Sequence, residues 1–146
     1  MIVLDTTVLV YSVGTEHRFR GPCARLLDAV ASGMVVATTT PEVLQEFAHV
    51  RARRRDRDDA ADLAEAFSDF LAPLITVDED AFRAGLRIFR RYPRLGSFDA
   101  VLAASAVAAG ATTVVSADAA FADLTDIRHV VPDEAGVSGL VPTGAT

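Results

Sequence analysis

Residues 97–118, SFDAVLAASAVAAGATTVVSAD, decide how the rest of the chain is read. Two elements follow one another here. Residues 98–109 are small and apolar, and Gly110 is placed to close them as a helix. Residues 112–115 form a short β-branched run, as in a strand buried on both faces, and they end at Ser116. The longest apolar run of the chain, residues 100–115, lies inside this stretch. It is shorter than a bilayer span, and Gly110, Thr112 and Thr113 interrupt it. A buried helix feeding a buried strand is expected, not a membrane segment. Acids stand at both ends: Asp99 opens the helix and Asp118 follows the strand.

The same alternation extends outward. At the N-terminus, MIVLDTT, residues 2–4 read as a buried strand that stops at Asp5. Residues 8–13 begin a helix. Residues 22–31 carry Leu26, Leu27 and Val30 at helical spacing, Gly33 stops them, and residues 34–37 form a second strand. Thr40 and Pro41 are a hydroxyl N-cap and a proline at the first helical position. That helix carries Val43, Leu44, Glu46, Phe47 and Val50. Residues 51–59 are almost wholly charged and are expected to be a hinge, with a second helix over residues 60–72 completing a helical hairpin. Residues 74–77 read as a third strand. Residues 79–92 form an amphipathic helix with Phe82, Leu86 and Phe89 on one face, ended by Pro93. A short turn holds Phe121, and residues 127–131 are a fifth strand. Strands alternating with helices predict an α/β fold with a mainly parallel sheet of about five strands. Residues 1–132 form one domain, and residues 133–146, rich in Gly, Pro and small residues, are expected to be a loose tail.

A chain of 146 residues fits one domain, and 51% hydrophobic residues suffice for a core without cross-links. The single cysteine, Cys23, excludes an internal disulfide and a cysteine-based zinc cluster. No signal peptide is expected, because Asp5 breaks the first apolar run and no basic segment precedes it; a cytoplasmic location follows. The net charge of −6 argues against a general nucleic-acid coat but allows a local basic surface. All 14 basic residues are arginine, whose planar fork suits phosphate.

In open α/β sheets, sites form at the carboxyl ends of strands. Asp5 and Asp118 should share that edge, and Asp99, at a helix N-terminus, can point to it. Glu46 lies inside a helix, so this argument places it less firmly. Singly, Asp99 could serve the helix dipole, Asp118 could form a turn, and Glu46 could be a solvated surface residue. Gathered together they repel one another. A hard divalent cation such as Mg²⁺ or Mn²⁺ resolves that conflict and can polarise a phosphodiester and activate water. Phosphatases and receivers that phosphorylate an aspartate after the first strand are set aside. Asp5 has no paired aspartate beside it, and the chain has no lysine.

These motifs resemble those of the PIN-domain ribonucleases, and of VapC-type toxins of toxin–antitoxin systems in particular. MIVLDTTVLVYS is similar to the family's opening, PEVLQEFAHV to its second motif, and SFDAVLAASAVAAGATTVVSAD to its third and fourth. The second match selects Glu46 over Glu42. The resemblance spans about residues 1–132. It implies a sandwich of helices around a parallel sheet and a Mg²⁺- or Mn²⁺-dependent endoribonuclease. The implied catalytic residues are Asp5, Glu46, Asp99 and Asp118, with Asp5, Asp99 and Asp118 as metal ligands and Thr6 and Ser116 as hydroxyl neighbours. Water attacks the phosphate to leave a 5′-phosphate and a 3′-hydroxyl. An antitoxin encoded beside the toxin and a homodimer are implied as well, and no membrane. Two departures stand out. Thr7 occupies a position where Asn or Ser is usual, and Ala120 one where many relatives carry another acid. Ala120 leaves open a second reading, a non-catalytic RNA- or protein-binding module with a structural metal.

Arg83, Arg87 and Arg90 share one helical stripe facing away from Phe82, Leu86 and Phe89. They are either a solvated face or a phosphate track. Arg54 belongs to a second cluster, with Arg51, Arg53, Arg55 and Arg57, that could meet RNA or an acidic partner. His49, three residues after Glu46, is read as structural or partner-facing, and His17 and His129 show no ligand spacing.

Overall fold

The computed structural model describes residues 1–142; residues 143–146, the end of the expected tail, lie outside the described residues. Four strands form one parallel sheet: β1 (Ile2–Leu4), β2 (Ala37–Thr38), β3 (Thr113–Val115) and β4 (Arg128–Val130), in the order β2-β1-β3-β4. Seven helices accompany them among the described residues. These are α1 (Thr6–Ser12), α2 (Arg20–Ala31), α3 (Pro41–Arg54), α4 (Arg57–Phe70), α5 (Glu79–Arg91), α6 (Ser97–Ala108) and α7 (Glu134–Leu140). A 3-10 turn spans Ala119–Asp123. The expected α/β class with a parallel sheet is the observed one. β1 and β3 are central and their residues are wholly buried, which explains why both lack the alternation of a half-exposed strand.

Residues 74–77, expected as a strand, are not one. One backbone bond joins them to the sheet edge, from Ile75 N–H to Thr39 O at 2.9 Å. Pro73 has no N–H to begin a ladder. The segment is fixed by a side chain instead: the buried Thr38 hydroxyl donates to Pro73 O at 2.9 Å and lies 3.1 Å from Leu71 O.

The hinge expected over residues 51–59 is shorter than charge alone implied. Arginine is a good helix former, so α3 continues to Arg54. Asp56 then caps α4 by accepting from Asp59 N–H at 2.8 Å. Arg51 is structural: it pairs with Asp59 and donates to Val13 O at 3.0 Å, tying α3 to α4 and to the end of α1. Phe47 meets Phe67 edge-on at 5.1 Å, which closes the apolar side of the same hairpin.

α5 does not bury its large apolar stripe. Its buried residues are Ala81 and Gly85, with Ile88 packed against the core, while Phe82 and Phe89 are 49% and 44% exposed. Small residues let α5 approach α6 closely. A Cβ on Gly85 would stand 2.7 Å from Val101 Cα and 2.6 Å from Val101 Cγ2. The close contact takes the small-residue face, and the large apolar side chains are left outward.

Residues 134–140, expected to be loose, form α7. Asp133 caps it, accepting from Gly136 N–H at 2.7 Å, and Val137 is buried to 1% against the core. Arg25 of α2 makes a two-pronged pair with Glu134. Both groups are solvent-exposed, so the buried valine does more to hold the helix than the ion pair.

Candidate active site

β1 and β3 lie side by side, with Leu4 opposite Val115, and the chain departs from them to opposite sides of the sheet, to β2 and to β4. Such a switch in strand order opens a crevice at the carboxyl ends. Asp5 is the first residue past β1, and Ser116 the first past β3. Asp5 N–H still pairs with Val115 O at 3.0 Å, so the carboxylate starts from the rigid edge of the sheet.

Asp5 is 4% exposed. Its Oδ2 accepts the Ser116 hydroxyl at 2.6 Å and the Thr7 hydroxyl at 3.0 Å. Burial pushes the Asp5 carboxyl above the usual range. The bonds from Ser116, the Thr6 backbone and Thr7 oppose that rise, and the charge of Glu46 adds to it. Ser116 is fully buried, and its Oγ also accepts from Asp118 N–H at 3.0 Å. Asp118 Oδ1 accepts from Ala120 N–H at 2.9 Å, which starts the 3-10 turn. Thr7 Oγ1 accepts from Ala117 N–H at 3.0 Å. The loop after β3 is thus pinned to the loop after β1 by two hydroxyls.

Glu46 projects from α3, and its Oε2 accepts the Thr6 hydroxyl at 2.7 Å. Asp99 lies in the first turn of α6. Its pKa is pushed up to about 7, first by burial and then by the charges of Asp5, Asp118 and Glu46. The four acids line one cavity of about 310 Å³, together with Arg54. An apolar lobe of about 370 Å³ opens beside them, where Asp5, Glu46 and Asp99 face Phe82, Leu86 and Phe98.

The structure therefore brings together Asp5, Glu46, Asp99 and Asp118, and places Thr6 and Ser116 against two of them. Arg54 reaches the same cavity. Arg83, Arg87 and Arg90 line neither the acidic cavity nor its apolar lobe, and Arg83 is paired with Glu79 at 2.6 Å. His49 is exposed and lines neither of them. His129, set aside in the sequence for want of ligand spacing, supports the site from behind. Its Nε2 bonds Ser116 O at 2.8 Å, a contact that no spacing along the chain signals.

Among the described residues, no three His, Cys, Asp or Glu side chains are grouped so as to enclose an ion by themselves. The donor set still suits a hard cation. Mg²⁺ commonly takes only one or two carboxylates and completes its shell with water and phosphate. The neighbouring negative charges that help raise the Asp99 and Asp5 carboxyls are what such a cation relieves.

The model of the PIN domain family matches residues 2–127. The chain is 54% identical over 145 residues to Ribonuclease VapC7 of Mycobacterium tuberculosis, covering 97% of this chain and 98% of that one. The chain belongs to the PIN-domain family. Among solved structures, this PIN domain is similar to VapBC2 of Rickettsia felis bound to a promoter DNA fragment. The TM-score is 0.70 at 17% identity, over 90% of this chain and 98% of that one. It is also similar to VapC20 of Mycobacterium tuberculosis, described as a Sarcin-Ricin loop cleaving toxin. There the TM-score is 0.69 at 19% identity, over 88% and 99% of the two chains. These two likenesses bear on the fold, and the VapC7 likeness places the chain among VapC-type PIN domains.

Proposed function

We propose that this PIN domain is a divalent-metal-dependent endoribonuclease, the toxin of a toxin–antitoxin pair. The observation that carries the reading is the convergence of four carboxylates on one cavity, where burial first and then the charges of the other three push the Asp99 carboxyl up to about 7. The relative named a ribonuclease, which matches along nearly its whole length, supports RNA as substrate. Asp5, Asp99 and Asp118 would hold Mg²⁺ or Mn²⁺, and Glu46 would complete the acidic wall. The bound cation supplies charge neutralisation at the phosphate and lowers the pKa of water. The protein's part is orientation. Ser116 and Thr7 fix the Asp5 carboxylate, Thr6 fixes Glu46, and the Ser116–Asp118 bond sets the loop after β3. Attack on the phosphate by water leaves a 5′-phosphate and a 3′-hydroxyl.

The proposed partner is a cognate antitoxin whose segment crosses the same crevice. The apolar lobe lined by Phe82, Leu86 and Phe98 offers apolar anchorage next to the acids, where a basic side chain of the antitoxin would be held. The solved VapBC2 assembly, a likeness in fold, is the kind of complex this reading implies. A homodimer is proposed too, and sedimentation of the purified chain tests it. No helix among the described residues is long and apolar enough to cross a membrane.

The deciding experiment is RNA cleavage by the purified chain with Mg²⁺, with Mn²⁺ and with EDTA. Cleavage is expected with either ion, none with EDTA, and none from Asp5→Asn or Asp99→Asn. Cleavage retained by both variants would overturn the site. RNA binding without turnover in any divalent ion would favour the non-catalytic module.

A further inference from the structure

A larger cavity of about 560 Å³ adjoins the acidic one. The two share Val10, Tyr11, Val50 and Arg54 in their walls, so they form one continuous groove. Its size is ordinary for a small-ligand site of roughly 300–1,000 Å³. Three arginines, Arg51, Arg54 and Arg55, line it against one carboxylate, Glu16. Arg51 is already spent on Asp59 and Val13, whereas Arg54 and Arg55 form no ion pair among the described residues. On a chain of net charge −6, this is a local basic patch beside an acidic centre.

Two aromatic rings stand in the same wall. Tyr11 and His17 are stacked with centroids 4.3 Å apart and planes 22° from parallel. Buried Phe19 supports both, edge-on to Tyr11 at 5.4 Å and tilted to His17 at 5.2 Å. Phe19 N–H donates to His17 Nδ1 at 3.1 Å, which sets the orientation of an otherwise exposed ring. An exposed imidazole locked by its neighbours in this way forms a flat, pre-positioned platform. Tyr11 lies six residues beyond Asp5 on α1, about 9 Å along the helix axis.

We infer that this cavity is a nucleotide subsite of the RNA groove: the Tyr11–His17 stack receives the base of an unpaired nucleotide flanking the scissile bond, and Arg54 and Arg55 hold its phosphates. The inference rests on the ribonuclease reading above and names how that enzyme grips its substrate. Base-on-aromatic stacking with arginine at the backbone is the usual means of holding single-stranded nucleic acid, and it tolerates any base. An acidic protein segment would satisfy the guanidinium groups as well; the exposed, pre-positioned ring stack is what favours a nucleotide.

The test is a binding cycle with a fluorescein-labelled single-stranded oligoribonucleotide of mixed sequence, in EDTA so that no cleavage intervenes. The full chain and His17→Ala are each titrated with the intact oligonucleotide and with versions made abasic at successive positions. His17→Ala is expected to weaken binding about tenfold. One abasic position should cost the wild type a similar factor and cost His17→Ala almost nothing more. His17→Phe, which keeps a ring, should restore binding to the intact strand. Equal affinity of wild type and His17→Ala, or losses that multiply at every abasic position, overturns the subsite. A coupled loss in a protein that cleaves nothing upholds the subsite and overturns the nuclease reading. Absence of RNA binding by the wild type overturns both.

Discussion

Ser116 Oγ lies 2.6 Å from Asp5 Oδ2, and the same oxygen accepts from Asp118 N–H at 3.0 Å. One buried hydroxyl thus orients two of the four acids at once. Ser116→Ala removes the donor to Asp5 and the acceptor for Asp118 together, with little change in volume. Supporting bonds of this kind are worth about 10- to 100-fold in metal affinity or activity. Cleavage rate should fall by that factor while thermal unfolding shifts only modestly. Wild-type rates from Ser116→Ala would show that the bond has no orienting role.

The acids also make a prediction about pH. Burial and the neighbouring acids push the Asp99 carboxyl up to about 7 in the folded, metal-free protein, from an ordinary value of 3.8, and burial raises Asp5 in the same direction. The folded state therefore binds more protons than the unfolded state between about 3.8 and 7. Stability falls as pH rises through that window. In EDTA the melting temperature should rise as pH is lowered from 7 toward 4, until other groups intervene. Mg²⁺ or Mn²⁺ displaces the proton, so metal affinity should strengthen as pH rises through about 7 and the stability slope should flatten. Melting curves with and without Mg²⁺ across this range check both signs. A metal-free protein that grows steadily more stable from pH 4 to 7 contradicts them.

Arg54 and Arg83 should separate cleanly. Arg54 lines the acidic cavity, whereas Arg83 is exposed and engaged by Glu79. Arg54→Ala should weaken RNA binding and reduce the slope of log affinity against log salt by about one. Arg83→Ala should leave that slope unchanged. Equal effects from the two variants would return α5 to consideration as a phosphate track.

Gly85 tests the packing that carries Asp99. Alanine normally gains stability over glycine in a helix, by about 1 kcal/mol. Here its Cβ would meet Val101 Cα at 2.7 Å, a backbone atom that cannot simply rotate away. Overpacking of this kind costs about 1–3 kcal/mol, enough to reverse the gain. Gly85→Ala should lower the melting temperature. Because Val101 lies two residues after Asp99 on α6, cleavage should fall as well.

Much of this was legible because strand ends are punctuated in sequence. The apolar runs before Asp5 and Ser116 are short and unbroken, and the strand-end rule then places Asp5 and Asp118 at one edge without coordinates. Glu46 was a different matter. It is an exposed residue on a regular helix, and only the motif match singled it out. The orientation of α5 is not legible in its apolar pattern, for a physical reason. Phe82, Leu86 and Phe89 form one apolar stripe, but the closest helix contact goes to the residues with least side chain, Ala81 and Gly85. Residues 74–77 have strand composition yet hold one bond to the sheet, because composition reports burial and not pairing. Pro132 before α7, with Gly136 and Gly139 inside it, hid a helix that needs only its Asp133 cap and one buried valine.

The Asp5–Ser116 bond closes a sequence separation of 111 residues. Asp5 is made early in synthesis, and Ser116 and Asp118 more than a hundred residues later. A nascent chain therefore carries Asp5 and Glu46 well before Asp99 and the loop after β3 complete their pocket. Any product cut short before Asp118 is incomplete in the same way. Order along the chain thus postpones assembly of the acidic pocket until β3 has been delivered to the sheet.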